Sequence, residues 1–231
     1  MPTLAELLGF LALPPNRHVF LLLDIKLGAS APIETQETVI RAIARTLASV
    51  EGLEFWADRV LAGCWTVKTM GVVRRWLPGL GIMHIGWSLP LARRVLEAEE
   101  GVGFNLHWST LSTSAGRVFL EDARRERRRV WVWTVNEAET MKWAINLKLD
   151  GRTPPAWWFM CVLTYPGVIT DDPEKFLELQ KGREGGEWER DEWTVQRRVM
   201  LWFYLVAAYL MGVLRPDLIE KGGLLETETV K

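Results

Sequence analysis

Residues 20–26 read Phe20-Leu21-Leu22-Leu23-Asp24-Ile25-Lys26. Four apolar residues run straight into an acid, an isoleucine and a lysine. An apolar run of this length predicts a strand buried on both faces, as in a parallel sheet. Side chains alternate along a strand, so Asp24 and Lys26 fall on one face. At the carboxyl end of a barrel strand, a carboxylate is placed to hold a hard cation and an ammonium to meet a phosphate. The same pair also fits a plain ion pair that ends the strand, and the stretch by itself leaves both readings open.

Working outward, residues 3–13 carry a helical pattern, with Thr3 and Glu6 spaced as a capping box and Pro14-Pro15-Asn16 as the stop. After a loop over 28–32, residues 33–50 predict a helix whose apolar side holds Val39, Ile43, Leu47 and Val50. The alternation then repeats. Strands are expected within 60–65, 81–88, 102–106, 130–135 and 167–170. Helices are expected over 67–76, 89–100, 114–129, 137–147 and 173–180. Asn136 is placed to cap the helix after it. Six strands alternating with helices predict an α/β fold with a parallel sheet and helices outside. A barrel needs eight strands and an open doubly wound sheet does not, and periodicity does not separate the two.

Three stretches break the rhythm. Residues 151–166 are longer than usual connections and read as an inserted loop. Residues 181–198 are polar and read as a linker, with 215–231 as a polar tail. Residues 199–214 form an uncharged apolar run flanked by Arg197, Arg198 and Arg215. It is shorter than the roughly 20 residues of a usual span, yet too apolar all round for a surface helix. A membrane anchor or re-entrant segment is expected there, with a buried helix as the alternative.

The chain has 231 residues and is 48% hydrophobic, enough for one sizeable core. Its formal net charge of −1 gives no general argument for nucleic acid binding, and no nucleic acid partner is expected. Two cysteines, Cys64 and Cys161, build neither a disulfide scaffold nor a cysteine-rich metal site. The three histidines show no metal-ligand spacing. His18 precedes the first strand, and His84 reads as packed inside one. His107 follows a strand at the end where barrels keep their chemistry, so it is the histidine candidate. There is no GxGxxG, P-loop or nucleophile elbow. The arginine run at 124–129 suits a solvated helix end, with a phospholipid headgroup contact as the sharper reading. Asp171 and Asp172 precede Pro173 and suit a helix cap or an anion-facing role.

Taken in order, several of these pieces resemble the glycerophosphodiester phosphodiesterase family, especially its fungal branch related to phosphatidylglycerol phospholipase C. They are Met1-Pro2-Thr3-Leu4, Leu23-Asp24-Ile25-Lys26, His84-Ile85-Gly86-Trp87-Ser88, Gly103-Phe104-Asn105, Trp131-Val132-Trp133-Thr134-Val135-Asn136 and Ile169-Thr170-Asp171-Asp172-Pro173. The resemblance covers about residues 1–180, and 151–166 departs from it.

The resemblance implies an incomplete TIM barrel, with the six strands standing as the third to the eighth. It implies a metal-dependent phosphodiester hydrolase of glycerophospholipid metabolism, using a divalent cation, Mg2+ or Ca2+, on a glycerophosphodiester or phospholipid substrate. Asp24 then looks like a metal ligand, Lys26 the phosphate-binding lysine and Trp133 a substrate-side aromatic, with Asn136 and Asp171 as supporting residues. The family's two catalytic histidines and two further metal carboxylates have no counterpart. The resemblance therefore implies that the N-terminal part of the family domain is missing, and no residue is assigned a catalytic role. Two alternatives follow: a catalytically dead relative serving as a lipid-binding or interaction module, and an unrelated α/β enzyme with its site near Asp24, Lys26 and His107. With the 199–214 run, the expected placement is membrane-associated and intracellular, on the cytoplasmic side, with a membrane surface as a further partner.

Overall fold

Strand and helix alternate from Leu21 onward in a computed structural model that describes residues 2–28, 30–147 and 167–183, with the isolated positions Val199, Trp202, Phe203 and Val206. Among the described residues six strands follow one another in chain order, every registered pair parallel. This is the α/β class, an incomplete barrel sheet with outer helices. The described residues form two compact units, one up to Ile85 and one from Gly86 onward.

In the first unit, α1 (Leu4–Ala12) opens with the expected capping box: Thr3 N–H donates to Glu6 Oε2 at 2.7 Å, and Glu6 N–H to Thr3 Oγ1 at 3.3 Å. Strand β1 (Leu21–Ile25) pairs with β2 (Val60–Cys64), Leu21 opposite Val60, and β2 pairs with β3 (Gly81–Gly86). Helices α2 (Ile33–Val50), α3 (Leu53–Ala57) and α4 (Val67–Trp76) lie between the strands. All five residues of β2 are buried, but Leu21, Leu22 and Leu23 of β1 are only half-buried. The expectation of a strand buried on both faces belongs to β2. Among the described residues β1 ends the sheet and has a neighbour on one side only.

The buried stripe of α2 also differs from the expected one, running through Gln36, Ile40 and Leu47. Gln36 is admitted to the core because its amide is satisfied: Nε2 donates to Ala31 O at 3.1 Å, and Oε1 accepts from Thr69 Oγ1 at 3.0 Å. Helix α3 escapes periodicity because it is five residues long. It is held by Trp56, fully buried, whose Nε1 donates to Leu47 O at 3.1 Å.

In the second unit, α5 (Leu89–Ala98) leads to β4 (Gly103–His107), α6 (Trp108–Leu111), α7 (Ser114–Arg125), β5 (Val130–Trp133), α8 (Ala138–Asn146), β6 (Gly167–Val168) and α9 (Pro173–Arg183). Phe104 opposes Val130 and His107 opposes Trp133; Trp131 opposes Gly167. Phe104 and Phe119 meet edge to face at 5.0 Å, seating α7 on one side of β4. Helix α7 stops at Arg125, short of the expected end, and Arg127 takes a left-handed φ of 54°. Two of the arginines there have partners within the chain: Arg124 donates to Leu147 O at 2.7 Å, and Arg125 to Asp122 at 3.0 Å.

The expected membrane-associated placement is corrected. No helix among the described residues is long and apolar enough to cross a membrane. Most of 199–214 lies outside the described residues, as do the stretch 151–166, the linker beyond Arg183 and the tail 215–231.

Candidate functional site

The carboxyl ends of the strands carry two groups of side chains, one in each unit. In the first unit Asp24 and Lys26 do share a face, as alternation requires, and form an ion pair at 3.2 Å. Trp65, which follows β2, donates its indole N–H to Asp24 Oδ1 at 2.7 Å. Lys26 Nζ lies 5.7 Å from the Trp65 ring centroid, within cation–π range. One carboxylate oxygen thus faces an indole N–H and the other an ammonium. The pair is open to solvent, Lys26 70% and Asp24 44% exposed, so its contribution to stability is at most about 1 kcal/mol. The loop beyond Lys26 is fastened at one carbonyl: Ala31 O accepts from Lys68 Nζ at 2.8 Å and from Gln36 Nε2 at 3.1 Å.

This donor set does not fit a divalent cation. Hard cations take about six or more oxygen ligands, commonly from several carboxylates. Among the described residues no group of three or more His, Cys, Asp or Glu side chains could hold a metal ion. The expectation of metal binding is corrected for the described residues; the Asp24 carboxylate faces the donors Trp65 and Lys26 there.

In the second unit His107 ends β4 and caps α6. Its Nδ1 lies 2.7 Å from Ser109 Oγ and accepts from Ser109 N–H at 3.4 Å. That backbone donor makes Nδ1 the acceptor, so the ring proton sits on Nε2. Burial lowers the His107 pKa from 6.5 to about 4, so the imidazole is neutral near pH 7. Trp133 stands edge-on to His107 at 4.9 Å, donates Nε1–H to Asn105 O at 3.0 Å, and has Trp87 at 6.4 Å. Asn136 is no helix cap; the N-cap of α8 is Glu137. Asn136 instead joins two strand ends. Its Nδ2 donates to Asp171 Oδ2 at 2.7 Å, while Oδ1 accepts from Asp171 N–H at 2.9 Å and Thr170 Oγ1 at 3.2 Å. Asp172 Oδ1 accepts from Lys175 N–H at 3.1 Å at the start of α9. His84 is packed inside β3 and 1% exposed; His18 is exposed.

The residues singled out by sequence thus fall into a set with Asp24 and Lys26 and a set with His107, Trp133, Asn136 and Asp171. Sequence reasoning passed over Trp65, and it gave Asn105 and Trp131 no role of their own beyond the motifs that contain them. Asn105 and Trp131 were within reach, since each stands two residues before a named candidate on the same strand. Trp65 had no such signal, because its partner lies 41 residues away.

The sequence pattern of the Glycerophosphoryl diester phosphodiesterase family matches residues 1–153. A crystal structure from Silicibacter pomeroyi DSS-3, described as a glycerophosphoryl diester phosphodiesterase, is similar in fold, with a TM-score of 0.62 at 19% identity. The match covers 81% of this chain and 58% of that one, so the chain spans little more than half of that protein's length.

Proposed function

Since the chain belongs to the glycerophosphoryl diester phosphodiesterase family, we propose that it acts as a binding module for a phosphodiester of glycerophospholipid metabolism and is not itself a hydrolase. The observation that carries this reading is the state of Asp24, with Lys26 on one carboxylate oxygen and the Trp65 indole N–H on the other. A divalent cation, Mg2+ or Ca2+, supplies charge neutralisation in metal-dependent phosphodiester cleavage. The described residues do not fit one. Lys26 is the proposed phosphate contact: it is exposed, and an arriving phosphate can take it over from an ion pair of small net worth. Within the second unit, and separately from Lys26, Trp133 is proposed as a substrate-side aromatic, with Asn136 and Asp171 holding the strand end. Within the family, Leu23-Asp24-Ile25-Lys26 and the 131–136 stretch support the fungal branch near phosphatidylglycerol phospholipase C.

The test titrates glycerophosphocholine into the full chain while the Trp65 indole N–H is followed by NMR, with release of glycerol phosphate assayed in the same samples. Binding without release, lost in Lys26→Ala, is the expected result. Metal-dependent release that disappears in Asp24→Ala would overturn the reading, as would an indole signal indifferent to the ligand.

A further inference from the structure

Strand β1 pairs with β2 on one side, and no strand among the described residues lies on the other. Leu21 N–H donates to Arg59 O at 2.8 Å, so Leu21 turns its backbone groups toward β2. Direction alternates along a strand. Leu23 and Ile25 therefore do the same, while Leu22 and Asp24 turn their N–H and C=O groups to the open edge. Such a row is the arrangement that takes up another strand. Apolar side chains stand beside it. Val19 and Phe20, which lead into β1, are exposed, and so are Phe10 and Leu13 at the end of α1. Their backbone is pinned. Arg59 Nη2 donates to Leu11 O at 2.8 Å, Asn16 O at 3.1 Å and Val19 O at 3.3 Å, and Asn16 Nδ2 donates to Phe10 O at 2.9 Å.

The edge is complementary to itself. β1 is five residues long, with Leu23 at its centre. An antiparallel copy overlapping it in full puts Leu23 opposite Leu23, Leu21 opposite Ile25 and Leu22 opposite Asp24. Leu22 and Asp24 then form the hydrogen-bonded pairs, as their outward groups require, about a two-fold axis. One position further out, Phe20 stands opposite Lys26, an aromatic ring against a cation. No charged residue stands directly opposite its like. The two Asp24 carboxylates meet only on the diagonal, each already held by its own Lys26 at 3.2 Å. The neighbouring registers centre on Leu22 or Asp24 and shorten the overlap, and the second sets Asp24 against Asp24. A free peptide would meet only a short edge, whereas a second copy brings its own Val19 and Phe20 to the same contact.

We propose that this chain associates with a second copy of itself through the open edge of β1, antiparallel, so that the sheet continues across a two-fold axis. The contact lies wholly within the first unit. It is built on the outward backbone groups of Leu22 and Asp24 and does not rest on the phosphate role assigned to Lys26.

Sedimentation of the full chain from low micromolar to high micromolar concentration reads the assembly. A concentration-dependent dimer is expected, and nothing larger. Leu22→Pro removes an outward N–H and leaves the bonds to β2 in place. It should weaken the dimer by about tenfold or more, since both copies lose a hydrogen bond. Phe20→Lys sets a lysine opposite Lys26 and should weaken it too, while Phe20→Lys combined with Lys26→Glu should restore it. That pair of variants serves if Leu22→Pro does not fold. Leu23→Cys should cross-link under mild oxidation beyond the wild type, because its Cα atoms face each other at about 4.5 Å in a non-hydrogen-bonded pair, whereas Leu22→Cys should not. A chain that stays monomeric, assemblies that grow past two copies, a dimer indifferent to both Leu22→Pro and Phe20→Lys, or a dimer without the Leu23→Cys cross-link overturns the proposal. A monomer whose Leu22 and Asp24 amides resist exchange overturns it equally, by showing the edge covered within the chain.

Discussion

Mild acid should destabilise this protein through His84. The imidazole lies inside β3 at 1% exposure, and burial lowers its pKa from 6.5 to about 4, against a smaller opposing effect of the Cys64 backbone. Above pH 6.5 both folded and unfolded chains hold it neutral. Between pH 6.5 and 4 the unfolded chain takes up a proton that the folded chain refuses, so the unfolded state binds more protons and stability falls as pH falls. Below about pH 4 both states are protonated and this contribution levels off. A shift of roughly 2.5 units at about 1.4 kcal/mol each gives a loss of up to about 3 kcal/mol across the window. That is a large part of an ordinary stability of about 5–15 kcal/mol. His107 shifts in the same direction by desolvation and adds a smaller amount, because water still reaches its ring. Urea unfolding followed by circular dichroism at half-unit steps from pH 7.5 to 5 measures the effect. Stability should fall by about 1 kcal/mol per unit below pH 6, and His84→Leu should remove most of that slope. Wild-type stability that stays level from pH 7 to 5, or a slope unchanged in His84→Leu, refutes the reasoning.

Two helical glycines should answer alanine with opposite signs. Gly71→Ala in α4 meets nothing within 4 Å and should raise stability by about 0.5–1 kcal/mol in urea unfolding, whereas Gly116→Ala in α7 would drive a methyl into the Thr110 and Leu111 backbone and should cost about 1–3 kcal/mol. Asn136→Ala removes three hydrogen bonds to Thr170 and Asp171, and should speed amide exchange from residue 167 into α9 while leaving α1 unchanged. Thr3→Ala removes the capping box of α1 and should cost about 1 kcal/mol, read as a lower urea midpoint.

Several elements were legible from short-range pattern alone. The capping box at Thr3 and Glu6, helix α2 over Ile33–Val50 and helix α4 over Val67–Trp76 have the predicted bounds or nearly so. So was the strand–helix alternation, because helix and strand periods depend on residues only a few positions apart. The side-by-side placement of Asp24 and Lys26 follows from the same rule. What did not follow was anything set by residues distant in the chain. The apolar run of β1 reads as a strand buried on both faces, yet among the described residues it ends the sheet; sheet order decides that, and local sequence does not carry sheet order. Asn136 reads as a cap for the next helix, but its amide goes to Asp171, 35 residues on. Asp24 reads as a cation ligand until Trp65 and Lys26 are seen on its two oxygens. The sequence by itself determined the elements, the alternation and the family, since each rests on local period and motif order. Only the tertiary structure decided what each polar group meets, because a hydrogen bond acts over about 3 Å in space and is blind to separation along the chain.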